Sequence, residues 1–168
     1  MSQQSHIEHQ HWMSVAFALA QKAADEGEIP VGAIVVKDNQ IIGQGWNQSI
    51  QLHDPSAHAE MNAIRQAGQY LQNYRLPGAT LYVTLEPCSM CAGMLVHSRI
   101  EHLVYGAADA KTGSAGSIMN LLNHEQLNHK VEVTSGVMAE QCSAMLSAFF
   151  RQRRQQKKQQ RQNSQADT

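Results

Sequence analysis

Residues 58–60 read His-Ala-Glu, and residues 87–91 read Pro-Cys-Ser-Met-Cys. His58, Cys88 and Cys91 supply one imidazole and two thiols, which are side chains that bind zinc in proteins. A structural zinc site is normally closed by a fourth protein ligand, but no second Cys-x-x-Cys pair occurs in the sequence. Three protein ligands are typical of a catalytic zinc ion, which keeps its fourth position open for water. The two motifs therefore predict a catalytic metal site.

The acidic residue of the first motif extends this interpretation. Glu60 lies two residues beyond His58, close enough to reach a metal-bound water without being a ligand itself. A carboxylate in that position can take a proton from the water and deliver it to the substrate. Together the motifs predict a zinc-dependent hydrolase that acts on an amino-substituted ring.

Two other interpretations of the cysteines are weaker. A Cys-x-x-Cys pair also occurs in redox proteins, but the sequence around Cys88 and Cys91 has no thioredoxin-like context. A purely structural zinc site lacks its fourth ligand. The third cysteine, Cys142, lies at helical spacing from Met138 and Met145, so we expect it in the core.

Length and charge indicate one compact domain followed by a basic tail. The chain has 168 residues, 42% of them hydrophobic, which suits a single core. Residues 1–150 contain 7 Lys/Arg and 13 Asp/Glu, whereas residues 151–168 contain six basic side chains and one acidic one. We therefore expect a catalytic domain over residues 1–150 and a basic helical extension over residues 151–168. A basic arm on an acidic body is a means of binding phosphates.

Other features of the sequence indicate the cellular compartment of the protein. Three cysteines do not form the disulfide framework of a small secreted protein. Residues 1–6 show no basic region followed by an apolar run, so no secretory signal is expected there. No apolar stretch is long enough to span a membrane. We expect a soluble protein of the reducing cytoplasm that makes no contact with a membrane.

Hydrophobic periodicity places the first elements. Residues 1–10 are polar and are expected to be frayed, and an amphipathic helix follows from residue 12 to about Gly27. The apolar runs at residues 30–36 and 41–46 predict antiparallel strands joined by a hairpin turn at residues 38–39. Glycines within these strands predict bulges or close approach of another backbone.

The remaining elements follow the two motifs. Asp54 and Pro55 resemble a helix entry, which predicts a helix containing His58 and Glu60 and ending near Gly68. The other predicted elements are a strand at residues 79–85, a helix beginning at residue 87, strands at residues 100–106 and 131–134, and a final helix. The expected fold is α/β, a three-layer α/β/α arrangement with a mixed central sheet of about five strands.

The pattern His-x-Glu with Pro-Cys-x-x-Cys is the signature of zinc-dependent nucleobase deaminases. From residue 12 to residue 150 the chain resembles the bacterial tRNA-specific adenosine deaminases of the cytidine deaminase superfamily. The runs that carry the resemblance are residues 29–33 (Ile-Pro-Val-Gly-Ala), 46–47 (Trp-Asn), 54–60 (Asp-Pro-Ser-Ala-His-Ala-Glu), 73–75 (Asn-Tyr-Arg), 84–91 (Thr-Leu-Glu-Pro-Cys-Ser-Met-Cys), 98–100 (Ser-Arg-Ile) and 106–113 (Gly-Ala-Ala-Asp-Ala-Lys-Thr-Gly).

The resemblance implies a cytidine deaminase-like fold and conversion of adenosine to inosine at the wobble position, the first anticodon position of a tRNA. It implies a homodimer with active sites near the subunit interface and one Zn²⁺ per subunit. His58, Cys88 and Cys91 would bind the zinc, and Glu60 would shuttle the proton. The partner would be the tRNA anticodon stem-loop.

The resemblance also implies substrate contacts. Asn47 would hydrogen-bond the extruded base, with the backbone of Ala59 nearby. Asp109 and Lys111 would lie in a loop that touches flanking nucleotides, although Asp109 could instead cap a turn.

Three features near the chain end complete the expected RNA surface. Phe149 and Phe150 would face the anticodon side, one of them stacking on a base and the other packing in the core. The basic tail, including Arg153 and Arg154, is expected to contact RNA. Ala108 is a departure, because some relatives carry Arg at this position.

Two further functions compete with the leading one. A deaminase of cytosine, guanine or a pterin-like ring would use the same zinc chemistry on a small molecule. A non-catalytic zinc-bearing RNA-binding module would need the ligands but no proton shuttle, and Glu60 argues against it.

Overall fold

The computed structural model describes residues 2–166. Along this part of the chain the elements are α1 (Gln3–Asp25), β1 (Gly32–Lys37), β2 (Gln40–Trp46), α2 (Ser49–Leu52), α3 (Ala59–Leu71), β3 (Thr80–Leu85), α4 (Ser89–His97), β4 (His102–Ala107), β5 (Glu132–Thr134) and α5 (Ala139–Ala166). None of these helices is both long enough and apolar enough to cross a membrane.

The strands form one mixed sheet in the order β2-β1-β3-β4-β5. β1 pairs antiparallel with β2 and β3, whereas β3, β4 and β5 are parallel. Asp38 and Asn39 both have positive φ, as a tight hairpin turn between twisted strands requires. The predicted hairpin and the predicted five-strand mixed sheet are confirmed.

Helices cover both faces of the sheet, so neighbouring residues of β1 are buried on opposite sides. Val35 belongs to a core cluster packed under α3 and α4, and Ile34 belongs to a second cluster packed under α1. Both side chains have no exposed surface. Successive residues of a strand point to opposite faces, so a strand buried on both faces is the middle layer of three. The three-layer prediction is confirmed.

Two glycines of β2 bring α3 close to the sheet. A Cβ at Gly43 would lie 2.2 Å from the carbonyl oxygen of Ala63, and one at Gly45 would lie 2.4 Å from that of Ala59. Only glycine permits such close approach of helix and strand backbones. Because Ala59 is the first residue of α3, this packing also sets the position of the helix end that carries His58 and Glu60.

Two predicted helix boundaries are wrong. α1 begins at Gln3 instead of fraying to residue 10, because the Ser2 hydroxyl accepts a hydrogen bond from the Ser5 amide as an N-cap. α3 begins at Ala59 instead of Asp54, because the Asp54 carboxylate accepts a hydrogen bond from the Ser56 amide and holds a turn.

Two smaller differences concern the same region of the fold. The short helix α2 lies where a plain loop is expected. α4 begins at Ser89, so Pro87 precedes the helix instead of forming its first turn. The consequence is that Cys88, like His58, occupies the capping position immediately before a helix.

Candidate active site

His58, Cys88 and Cys91 meet where the leading ends of α3 and α4 converge. The Nδ1 atom of His58 lies 3.7 Å from the Cys88 sulfur and 3.6 Å from the Cys91 sulfur. The three possible ligand atoms lie within 4.8 Å of one another. Cys88 and Cys91 are three residues apart, so the first turn of α4 brings both sulfurs to the same side.

These distances fit a tetrahedral metal site. With Zn–N near 2.0–2.1 Å and Zn–S near 2.3 Å, tetrahedral geometry separates nitrogen and sulfur ligands by about 3.6 Å. Both measured separations agree with that value. Within residues 2–166 no other group of at least three His, Cys, Asp or Glu side chains has the spacing of a metal site. The donor set therefore suits a zinc-like ion with one position left for a non-protein ligand.

The electrostatics of the cluster favour a thiolate. The hydrogen bond with Cys91, together with the interaction with His58, lowers the pKa of Cys88 to about 4 despite burial. The hydrogen bond between His58 and Cys88 in turn raises the pKa of His58. Both motifs lie at helix N-termini, where the helix dipole also stabilises negative charge. Cys88 is thus the ligand held in its deprotonated form, whereas the hydrogen bond with Cys88 and burial raise the pKa of Cys91. Binding of a metal cation would release the protons that His58 and Cys91 still carry.

Glu60 stands beside this cluster and faces a cavity of about 480 Å³. The side chain is 4% exposed, and burial raises its pKa to about 7. A carboxyl group that titrates near neutral pH can both accept and return a proton. Both His58 and Glu60 reach the site because they lie at the leading end of α3, where the i and i+2 positions can still converge.

Asn47 lines the same cavity, and its orientation is set by α3. Its Oδ1 accepts a hydrogen bond of 2.9 Å from the amide of Ala59, which caps the helix. The Ala59 N–H is therefore already used. A second hydrogen bond between this segment and α3, which the sequence did not predict, is made by Asn62. Its Nδ2 donates to the carbonyl oxygen of Trp46 at 3.0 Å. Residues 46 and 47 are thus joined to α3 by two side-chain amides.

We call residues 108–117 the site loop, and the first five of them form one wall of the cavity. Its lining includes Ala108, Asp109, Ala110, Lys111 and Thr112. The Asp109 carboxylate accepts hydrogen bonds from the amides of Lys111 and Thr112 and from the Thr112 hydroxyl, at 2.9, 3.2 and 2.6 Å. Asp109 is therefore a turn cap, which was the competing interpretation, and it borders the cavity as well.

Glu86 was missed by the sequence reasoning. It is 2% exposed, and its carboxylate accepts hydrogen bonds from the amides of Asp109, Ala115 and Ser117 at 2.9, 3.1 and 3.0 Å, and from the Ser117 hydroxyl. Burial opposes ionisation, but these hydrogen bonds together lower its pKa. The sequence signal that could have identified Glu86 is an acidic residue between an apolar strand and the ligand motif.

The two phenylalanines occupy different places, and neither belongs to the core. Phe150 is 42% exposed and lines the cavity that contains Glu60. Phe149 is half-buried in a separate cleft between α1 and α5, under the guanidinium of Arg153. The expectation of one core phenylalanine is therefore wrong. Since the two residues are adjacent on a helix, they point in directions about 100° apart.

The two arginines of the tail also differ. Arg153 donates to the carbonyl oxygen of Gly27 at 2.7 Å, and so fastens α5 to the end of α1. Arg154 is exposed and does not line the cavity. The buried thiol of Cys142 lies away from the metal-type cluster and is 2% exposed, so the expected core position is confirmed.

The fold and the His-Cys-Cys-Glu arrangement are those of a nucleobase-type deaminase. In agreement with this class, the sequence model of the MafB19-like deaminases matches residues 7–154.

The similar proteins narrow the class. The chain is 57% identical over 143 residues to the tRNA-specific adenosine deaminase of Haemophilus influenzae, covering 84% of this chain and 83% of that protein. It is 50% identical over 152 residues to the protein of the same name from Bacillus subtilis, covering 90% and 94%. A structure solved in a study of A-to-I editing by tRNA:A34 deaminases at the wobble position superposes with a TM-score of 0.78 at 39% identity, covering 80% and 98%. The chain belongs to the family of tRNA-specific adenosine deaminases.

Proposed function

We propose that this protein removes the 6-amino group of adenosine at the first anticodon position of a tRNA, which yields inosine and ammonia. The observation that carries the proposal is the buried Glu60 beside three convergent metal-type ligands in one cavity. The names of the similar proteins support the choice of tRNA as substrate. An anticodon loop presents unstacked bases, so a base can enter the cavity at little cost.

His58, Cys88 and Cys91 would hold one zinc ion per subunit. Zinc bound there supplies a Lewis acid that makes water a nucleophile at neutral pH. The cavity beside the ligands offers room for the purine ring. Its apolar wall, which includes Leu85 and Phe150, would limit the access of further water.

Glu60 moves the protons of the reaction. It takes a proton from the water that attacks C6 of the adenine ring and passes it to N1. It then takes the proton of the hydroxyl group now on C6 and delivers it to the amino group, which leaves as ammonia while C6 becomes a carbonyl. A positioned acid–base group of this kind contributes about 10²–10⁴ in rate.

The hydrogen bonds of the free protein support a set of proposed substrate contacts. Because Oδ1 of Asn47 is held by the Ala59 amide, its Nδ2 group is left to donate to an acceptor nitrogen of the base. Lys111 lines the cavity and would contact a phosphate of a flanking nucleotide, and Asp109 holds the turn that contains it. Phe150, at the cavity mouth, would stack on a neighbouring base.

We further propose a cytoplasmic homodimer. A groove lined by Ile64, Met94 and Tyr74 lies between the later parts of α3 and α4. Tyr74 is 76% exposed. Large exposed aromatic side chains of this kind are enriched at protein–protein interfaces. A second subunit packed on this groove would contact α3 and α4, the two helices whose leading ends carry the ligands.

Ammonia release from a panel of substrates tests the proposal. The expected result is rapid release from an anticodon stem-loop with adenosine at its first position, and little release from free adenosine or cytidine. Comparable turnover of a free base or nucleoside would favour a small-molecule deaminase. Binding of the stem-loop without turnover of any substrate by zinc-loaded protein would favour the non-catalytic module.

The tail carries most of its basic residues on one face of α5. Arg154, Lys157, Lys158 and Arg161 recur at three- and four-residue spacing, so they share one face of α5. The opposite face is formed by glutamines: Gln152, Gln155, Gln156 and Gln159. We propose that the basic face binds tRNA phosphates and that Arg153, held by Gly27, serves mainly to fix α5.

Replacing the four basic residues of that face by Gln should weaken tRNA binding more at low salt than at high salt. Each lost phosphate contact lowers the log–log salt slope by about 0.7, so four contacts give a change of roughly 3. Fluorescence anisotropy over a salt series measures this. Replacing Gln152, Gln155 and Gln159 by Ala is the matched control and should leave the slope as it is. An unchanged slope in the basic-face variant would exclude the tail as a phosphate-binding surface.

A further inference from the structure

The carboxylate of Glu86 is the point to which the site loop is attached. Its Oε2 accepts from the Asp109 amide and the Ser117 hydroxyl, and its Oε1 accepts from the amides of Ala115 and Ser117. These donors come from the beginning and the end of the loop. One side chain therefore holds both ends of a segment that lies 23 to 31 residues further along the chain.

The site loop has little regular structure of its own to replace these bonds. β4 ends at Ala107, and the described residues between β4 and β5 form turns with a single isolated bridge, Ala115 to Asn120. Gly113 packs directly on the Glu86 carboxylate, because a Cβ there would lie 2.4 Å from it. The position of the cavity wall formed by Asp109 and Lys111 thus depends on Glu86.

We propose that Glu86 is a positioning residue for substrate recognition: through the Asp109 amide it holds the site loop against the nucleotides that flank the target adenosine. Glu86 borders the cavity, but both of its carboxylate oxygens accept hydrogen bonds from the site loop, so it would not act on the reacting atoms. This inference rests on the proposed function for its substrate, while its structural part concerns the free protein.

Replacement of Glu86 by Gln should break the attachment at the beginning of the loop and keep the one at its end. An amide of the same shape keeps one acceptor oxygen, which can remain on the Ala115 and Ser117 amides. Its NH₂ group then faces Asp109 N–H, where donor meets donor, while the Ser117 hydroxyl can rotate to accept. Glu86→Gln therefore unpairs one N–H, that of Asp109, and leaves the end of the loop attached.

Amide hydrogen exchange of the free protein tests the structural part. In Glu86→Gln the Asp109 amide should exchange at least about tenfold faster, while the Ala115 and Ser117 amides keep their protection. The matched control is Glu28→Gln, since Glu28 is also 2% exposed and accepts from two backbone amides, those of Ile50 and Gln51 in α2. This control should leave the site loop unchanged. Unchanged exchange at Asp109 would overturn the proposal.

Kinetics on the anticodon stem-loop test the functional part. Glu86→Gln should raise KM by about tenfold and change kcat by less than about threefold, since one lost positioning bond is of that size. Ser117→Ala, which removes only the hydroxyl donor, should shift KM in the same direction by less. A fall in kcat with KM unchanged, or equal effects of Glu86→Gln and Glu28→Gln, would contradict the assignment. If the wild-type protein deaminates no tRNA, the proposed function fails, and the exchange measurement still decides whether Glu86 holds the loop.

Discussion

Glu60→Ala is expected to keep the metal and lose deamination by a factor of about 10²–10⁴. The side chain is not one of the three clustered ligands, so its removal leaves the metal-binding donor set intact. It is, however, the buried carboxyl group whose pKa of about 7 suits proton transfer in the cavity. Metal analysis of the purified variant and its kcat on an anticodon stem-loop measure the two effects separately.

Two variants control this experiment. Glu60→Gln retains the shape of the side chain without a group that can shuttle protons, so it should lose as much activity as Glu60→Ala. Glu140→Ala removes an exposed carboxylate at the start of α5 and should behave like the wild type. Activity within tenfold of the wild type in Glu60→Gln would remove Glu60 from the proton-transfer role.

Cys88→Ala is expected to weaken metal binding by more than about 100-fold, which exceeds the loss caused by removing an outer-shell partner. The variant leaves one imidazole and one thiol, and two ligands do not hold a catalytic zinc ion. Activity on any substrate should fall with the metal content. Competition with a zinc chelator gives the affinity, and ammonia release gives the activity.

The chain offers a matched control for the loss of a thiol. Cys142→Ala removes a buried cysteine outside the metal-type group and should leave the metal affinity unchanged. Its cost should be limited to packing near Gly106, whose neighbour is the Cys142 sulfur. Full metal occupancy and activity in Cys88→Ala would show that this cysteine is not a required ligand.

The ligand cluster could be anticipated because its spacing is local. Cys88 and Cys91 are separated by one helical turn, and His-x-Glu lies at the leading end of a helix, so each half of the site is encoded by a few adjacent residues. The hairpin of β1 and β2 follows from equally local signals, namely two short apolar runs and a turn at Asp38 and Asn39.

The contacts that hold the site could not be anticipated in this way. Asn47 bonds a residue 12 positions away, and Glu86 bonds residues 23 to 31 positions away. Such contacts depend on how α3 and the site loop pack on the sheet, and the hydrophobic periodicity of the sequence does not predict that packing. The boundary of α3 illustrates the same limit, because Asp54 can cap either a helix or a turn and only the packed structure decides.

The phenylalanine pair shows why helix orientation had to come from the structure. The sequence pattern allowed either Phe149 or Phe150 to face the substrate. The side of α5 that packs on the sheet is set by residues such as Cys142 and Leu146, and this orientation turns Phe150 toward the cavity. Phe149 is left to pack with Arg153 beside α1.

Deamination at the wobble position can be tested by mapping inosine in total tRNA after incubation with the purified protein. We expect new inosine at the first anticodon position of a tRNA that carries adenosine there, and none when the Glu60→Gln protein is used. Inosine at scattered positions, or none with the zinc-loaded wild-type protein, would contradict it.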